Sequence, residues 1–330
     1  MTRSTWAASS WSAEPRQSTK SAPSASVSLS SNLPIIVAGP TAVGKTLLAA
    51  ELAHQFGGEI VGADAYQVYE GLAVLTSQPD AETRVRVPHH LFGFLPVSEP
   101  FDAARFVQLA RETMDEIAAR GKIPVICGGS GLYIKALTHG IADLPAPDPA
   151  LRQELDALPL EVLRERLEKA DPAAAASIDL KNPRRVVRAL EIFLLTGRSA
   201  ADLRQGWKNP DAPGFRGIIL ERERGELEAR IRATVDAMFA RGAVDEVRAL
   251  GPVGPTAQMT IGLREIQALL RGEMTETECK EAMVLSTRQY AKRQSTWFRN
   301  QFSFPRIDLT GSLPVSESLL LARQALGASA

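Results

Sequence analysis

The sequence predicts an α/β fold: a phosphate-loop NTPase-like parallel sheet core, an all-helical insertion and a helical C-terminal part. Three observations carry this. A short apolar run, Ile35-Ile36-Val37-Ala38, leads into Gly39-Pro40-Thr41-Ala42-Val43-Gly44-Lys45-Thr46 and then a helical pattern over 47–56. That is the strand–loop–helix order in which the pattern G-x-x-x-x-G-K-[ST] binds phosphate. Two further apolar runs, ending near Ala63 and at Cys127, read as buried strands. From 145 to 213 strand patterns disappear and short helical stretches follow one another.

The loop defines the chemistry at the first element. Gly39 and Gly44 let the backbone curl so that successive N–H groups point at phosphate oxygens, at the positive end of a helix. Lys45 adds a point charge, and the Thr46 hydroxyl can hold Mg²⁺. The second strand pattern, 59–63, delivers Asp64 to the carboxyl edge of a parallel sheet, where ligands bind in open α/β folds. With an ordinary carboxylate pKa of about 3.9, Asp64 is ionised at neutral pH. A helix or turn cap is the plainer role for it.

Val87-Pro88-His89-His90-Leu91 pairs two histidines, but no other His or Cys stands at ligand spacing, so the metal reading is set aside. A helix over 102–120 carries Phe106, Leu109, Met114 and Ile117 on one face, with Asp102 as cap and Gly121 as stop. The strand Ile123-Pro124-Val125-Ile126-Cys127 runs into Gly128-Gly129-Ser130-Gly131. Many phosphate-loop NTPases place a magnesium-holding Asp at such a strand end. The glycines speak against a motor ATPase or GTPase and suggest close backbone approach to a substrate, with Ser130 as a polar contact.

The insertion, 147–213, contains helical stretches over 150–158, 160–170, 172–178 and 183–195. The last, with its lead-in, holds Lys181, Arg184, Arg185 and Arg188 with no acid before Glu191, either a solvated basic face or a grip on phosphates. A strand over 215–220 returns the chain to the core. The helix over 279–302 then puts Arg288, Lys292 and Arg299 along one face, a density of basic and aromatic residues that suits nucleic-acid phosphates. Trp297 and Phe298 read first as core. The predicted division is a Ser-rich disordered extension (1–32), a core in two parts (33–146 and 214–305) around the insertion, and a tail (306–330) with one amphipathic helix. The extension lacks a secretory h-region; its composition could mimic a transit peptide, and an over-long start is the other reading.

Composition sets the outer limits. The chain has 330 residues, 45% apolar, with formal net charge zero, so any nucleic-acid binding must rest on local patches. Cys127 and Cys279, far apart, suggest neither a disulfide framework nor a zinc site and fit a reducing compartment. No apolar run approaches the roughly 18 residues of a membrane span. The expectation is a soluble, cytoplasmic monomer.

Taken together, these residues resemble the tRNA dimethylallyltransferase (tRNA isopentenyltransferase) family. The resemblance rests on GPTAVGKT, Asp64-x-x-Gln67-Val68-Tyr69, PHHL, GGSGLYIKAL, NPRRVVRALE, QMTIGLRE and STRQYAKRQSTWFR, in family order from Pro34 to Arg299. It implies transfer of a dimethylallyl group from dimethylallyl diphosphate to N6 of the adenosine 3′-adjacent to the anticodon. By the resemblance the diphosphate falls to Gly39, Pro40, Thr41, Ala42, Val43, Gly44, Lys45 and Thr46, with Arg230, and the catalytic set is Asp64 as base with Thr41 and Lys45. Mg²⁺ on Thr46 is the implied cofactor. The tRNA side falls to Asp64, Ala65, Tyr66, Gln67 (where the base is read), Ser130, Arg152, Arg184, Arg185, Val186, Val187, Arg188, Arg288, Lys292 and Arg293.

The sequence departs from the family at Ala65 (commonly Ser), Gln78 (commonly Lys), Ser130 (usually Thr) and Leu263 (commonly Tyr). The rival readings are a small-molecule phosphate-loop kinase and a non-catalytic RNA-binding module. The first needs ATP and no basic helices; the second has no need of Lys45, Thr46 and Asp64 together.

Overall fold

In a computed structural model the described residues are 32–141, 144–146, 148–203, 207, 209–311 and 313–327. The predicted extension therefore lies almost wholly outside them. The elements in chain order begin with β1 (Ile35–Ala38), α1 (Lys45–Phe56), β2 (Glu59–Gly62), α2 (Ala81–Arg86), β3 (His89–His90), α3 (Ala103–Ala119), β4 (Pro124–Gly128) and α4 (Gly131–His139). The insertion supplies α5 (Pro149–Asp156), α6 (Leu160–Ala170), α7 (Pro172–Ser177), α8 (Pro183–Thr196) and α9 (Ala200–Leu203). Then follow β5 (Arg216–Glu221), α10 (Arg224–Ala240), α11 (Ala243–Arg248), a 3₁₀ turn (Ala257–Met259), α12 (Leu263–Leu270), α13 (Glu276–Gln301), β6 (Arg306–Asp308) and α14 (Val315–Ala325).

The six strands form one sheet in the order β3-β2-β4-β1-β5-β6, with every neighbouring pair parallel. Parallel strands need helices on their faces, so the central strands are buried throughout rather than alternating: β1, β2 and β4 are buried at every position. Strand β1 sits between β4 and β5; the chain runs from β1 to β2 on one side of it and crosses to β5 on the other only after β4. The carboxyl end of β1 is thus a topological switch point, where open α/β sheets leave a crevice for ligands. The loop after β1 opens into that crevice.

Two strands escaped the sequence. β3 is only the two half-buried histidines of the His-His pair, and β6 is three residues inside the presumed tail. Both are too short to show a periodicity, and pairing alone creates them. His89 Nδ1 lies 2.7 Å from the Val87 carbonyl, and His90 Nε2 lies 2.7 Å from Glu59.

The insertion has its own apolar cluster, including Leu155, Leu163, Leu167, Val186, Val187, Leu190 and Ile192, distinct from the main core. Proline at the first turn and an Asp or Asn cap start α5, α7 and α8, which fixes helix starts locally. The departures from the family sit quietly in the packing. Leu263 is fully buried in the main core. Gln78 donates to the Tyr69 carbonyl at 3.0 Å and accepts from Arg84 at 3.1 Å. Both thiols are buried, and burial pushes each up to about 11, which leaves them unreactive.

Candidate active site

The phosphate loop is built as its sequence demands. Gly44 has φ 112°, open to glycine without strain, and α1 begins at the next residue with Lys45 and Thr46 in its first turn. Ala42 also adopts a positive φ of 62°, a conformation that costs a non-glycine residue energy and recurs at functional loops. Arg230, on α10, holds this point by donating from Nε to the Ala42 carbonyl at 2.8 Å. Arg222, at the base of α10 and nearly buried, ion-pairs with Glu226.

Lys45 is half-buried and donates to the Pro40 carbonyl at 2.7 Å. Burial lowers its pKa, and the charge of Asp64 works against that drop. Asp64 lies just beyond β2. Burial raises its pKa, opposed by the Tyr66 N–H, which donates to Oδ1 at 3.0 Å, and by Lys45. The expectation of an ordinary carboxylate is therefore corrected: desolvation disfavours the charged form. A carboxylate raised in this way is a stronger proton acceptor wherever it is ionised.

Asp64 faces a small cavity of about 70 Å³, lined also by Thr41, Tyr66, Met238, Met283 and Tyr290. Asp64, Thr41 and the hydroxyl residues Thr76, Ser77, Thr260 and Thr287 give the cavity polar groups; the methionines supply a flexible apolar part of its wall. Tyr66 and Tyr290 approach to 6.3 Å between ring centroids, and the Arg293 guanidinium stands 5.7 Å from the Tyr290 ring.

Other predicted residues support this centre rather than line it. The Ser130 hydroxyl accepts from the Ala65 N–H at 2.9 Å and so holds the segment after Asp64. The amide of Gln67 donates to the carbonyls of Thr76 and Ser77, both at 2.9 Å, and carries the wall of the cavity. The close approach expected of a substrate at the glycines that end and follow β4 is made by the protein itself. A Cβ on Gly128 would meet the Ala63 carbonyl oxygen at 2.0 Å, and one on Gly129 would meet Gln294 at 2.3 Å.

The insertion splits its predicted set. Val186 and Val187 are 0% and 4% exposed, so their side chains belong to the insertion's core and are closed to a ligand. The branched side chains follow the apolar face of α8, which the list of basic neighbours concealed. Arg152 and Arg188 both converge on the fully buried carboxylate of Glu191, at 2.9 and 2.5 Å, and Arg188 also donates to the Pro145 carbonyl at 2.7 Å. Arg184 and Arg185 stay exposed, and Arg184 reaches Met259 Sδ at 3.3 Å, spanning from α8 to the 3₁₀ turn beside the cavity.

On the core side, Arg288 and Lys292 line a groove of about 480 Å³ between α10 and α13, shared with Arg222, Arg224 and Arg299. Arg288 pairs with Glu228 there at 2.8 Å.

Sequence reading missed two supports. Glu246 accepts from the N–H groups of Val74 and Leu75 at 2.9 and 2.8 Å, fixing the segment that leads to Thr76 and Ser77. Gln294 lies 5% exposed on α13 between the loop and the turn after β4. A signal for Gln294 was present, a lone amide on the stripe Cys279, Met283, Ala291, Phe298 that α13 buries. Glu246 left none, because its partners are backbone groups far along the chain.

The fold and this centre define a class: a phosphate-loop α/β protein with a half-buried carboxylate beside its anion cradle and a small cavity of mixed lining against both. The family model described as IPP transferase matches residues 67–301. A tRNA dimethylallyltransferase of Akkermansia muciniphila is 43% identical over 267 residues, 81% of this chain and 90% of its own length. One from Anaeromyxobacter dehalogenans is 45% identical over 276 residues, 81% and 92%. Among solved structures, the full-length tRNA isopentenylpyrophosphate transferase of Bacillus halodurans is similar with TM-score 0.64 at 35% identity, covering 90% of this chain and 97% of that one. A eukaryotic dimethylallyltransferase acting on tRNA is similar with TM-score 0.70 at 27% identity, over 84% of this chain and 74% of that one. The chain belongs to the IPP transferase family.

Proposed function

We propose that this protein transfers the dimethylallyl group of dimethylallyl diphosphate to the N6 amino group of the adenosine 3′-adjacent to the anticodon of tRNA. The observation that carries the reading is Asp64: a half-buried carboxylate facing one cavity with Thr41, next to a phosphate loop, in a chain of this family. The adenine N6 lone pair is delocalised into the ring, so the amine attacks well only as its proton is removed. In the reaction the N6–carbon bond forms, the allylic carbon–oxygen bond breaks, Asp64 takes the proton, and diphosphate leaves with the bond's electron pair.

The leaving diphosphate gathers negative charge where Lys45 and the loop N–H groups stand, which is electrostatic preorganisation for transfer. Arg230 braces the same loop from α10. The methionines suit the small apolar chain of the donor, and the target base must leave its stack to reach a half-buried carboxylate in a cavity.

Mg²⁺ is part of the proposal. No group of three or more His, Cys, Asp or Glu residues suited to a metal occurs among the described residues. The Thr46 hydroxyl, in the first turn of α1, fits Mg²⁺, which takes one or two protein oxygens and completes its shell with phosphates and water; Thr46 is the residue that would hold it. Bound there, the ion would neutralise charge on the departing diphosphate.

On the tRNA side, Arg184 and Arg185 of the insertion and Arg288, Lys292 and Arg293 of α13 are the proposed phosphate contacts. No described helix is long and apolar enough to cross a membrane, and the two free thiols fit the reducing compartment of a cytoplasmic enzyme.

The test is incubation with labelled dimethylallyl diphosphate, Mg²⁺ and unmodified tRNA. Label should appear on the tRNA at the position 3′ to the anticodon, with no ATP consumed. Phosphoryl transfer from ATP to a small acceptor without prenyl transfer would return the kinase reading, which membership of this family opposes.

A further inference from the structure

Gln294 joins three pieces of the site through one side chain. Its Oε1 accepts the Thr41 N–H at 2.8 Å, and its Nε2 donates to the Gly129 carbonyl at 2.9 Å. The two partners define the orientation of the amide, because an N–H needs an acceptor and a carbonyl needs a donor. The contact is close enough that no side chain fits at Gly129, and one turn further along α13, Trp297 fills the space a Cβ on Gly131 would take. Helix α13 is thereby latched to the phosphate loop and to the turn after β4, while its Thr287 and Tyr290 line the cavity of Asp64.

One consequence concerns the cradle. The Thr41 N–H is engaged by Gln294, so the amides that turn toward a diphosphate begin after Thr41, and the Thr41 side chain is left facing the cavity beside Asp64. We infer that Gln294 is a positioning residue for the transfer, setting Thr41 and the phosphate loop in register with the helix that meets the RNA. This rests on the reading of α13 as an RNA-contacting helix only for the RNA half of the geometry; the hold on the loop stands apart from it.

Two variants test this. Gln294→Met keeps length and apolar packing and removes both hydrogen bonds. Gln294→Glu keeps an acceptor for Thr41 but sets a second carboxylate oxygen against the Gly129 carbonyl until it is protonated. With donor and tRNA saturating, Gln294→Met should lower the single-turnover rate by about 10²-fold, the usual cost of misplacing reacting groups by about 1 Å, with the KM for tRNA within about twofold. The Gln294→Glu rate should recover toward wild type as pH falls and its carboxyl regains a donor, a pH dependence that loss of stability alone would not produce. Calorimetry with inorganic diphosphate and Mg²⁺, without RNA, should show roughly tenfold weaker binding to Gln294→Met, by loss of a fixed hydrogen-bond geometry. This arm remains decisive if wild type proves not to prenylate tRNA, which would sink the functional reading alone. Wild-type diphosphate affinity in Gln294→Met, or a loss confined to the KM for tRNA, would overturn the inference.

Discussion

At Asp64 two opposing effects meet in one carboxyl. Burial raises its pKa, and the Tyr66 N–H and Lys45 hold it down. As a base it must be ionised, so the single-turnover rate should fall as pH drops through its folded-state pKa, on an acid limb lying above the ordinary carboxylate value of about 3.9. Asp64→Asn should keep the fold and the binding of both substrates, lose on the order of 10²–10⁴-fold in the chemical step, and abolish that limb. Recovery of its rate at high Mg²⁺ would recast Asp64 as an anchor for the ion. Lys45 is the complementary case. It is half-buried, with its charge supported by Asp64, so Lys45→Ala should weaken inorganic diphosphate binding most, and calorimetry should see this without any change in RNA affinity.

At the scale of the element, α8 shows that a row of arginines is not one feature. Arg188 and Arg152 neutralise the buried Glu191, whereas Arg184 and Arg185 project from the start of the same helix. The two pairs should fail differently. Arg184→Ala with Arg185→Ala should raise the KM for tRNA and flatten its salt dependence by about one unit of slope per lost phosphate contact, with the melting temperature unchanged. Arg188→Ala leaves a buried carboxylate short of a partner and should cost about 1–3 kcal/mol of stability, visible as an earlier thermal transition. If the double variant bound tRNA as wild type does, the exposed pair would be a solvated face. The same lesson holds in α13, whose Thr275–Glu278 capping box starts the helix locally, while its buried side is chosen by α4, α10 and α12, against which it packs.

For the whole molecule, the far end of the sheet is pinned by another buried charge. Glu59 starts β2 and meets Arg120 at 2.7 Å, Lys122 at 3.3 Å and His90 at 2.7 Å. Burial alone would raise its pKa, but hydrogen bonds from Arg120, His90 and Lys122 overcome this and pull it from 4.5 to about 2. A folded-state pKa below the unfolded one means stability that is full above about pH 4.5 and lost as pH falls toward 2. The shift bounds this at about 3 kcal/mol, less in salt because Arg120 and Lys122 are nearly half exposed. Glu59→Gln should lower the urea midpoint at pH 7 and lose less than wild type between pH 7 and pH 3; parallel losses in both proteins would refute the role. Lys135 makes a second tie. It is fully buried and donates to the carbonyls of Asn209 and Gln301, binding the exit of the insertion to the end of α13.

What the sequence determined by itself is whatever is written in adjacent residues. The loop from Gly39 to Thr46, the apolar strands β1, β2 and β4, the Pro- and Asx-started helices of the insertion and the place of Asp64 at a strand end all follow from local backbone chemistry and periodicity. Tertiary structure decided what depends on partners distant in the chain. It paired β3 and β6, too short to show a pattern, and buried Val186 and Val187 among their basic neighbours. It spent Arg152 and Arg188 on Glu191, and gave Gly129 to Gln294, 165 residues away. It also raised the pKa of Asp64, because desolvation is a property of the folded surroundings and is absent from any stretch of sequence.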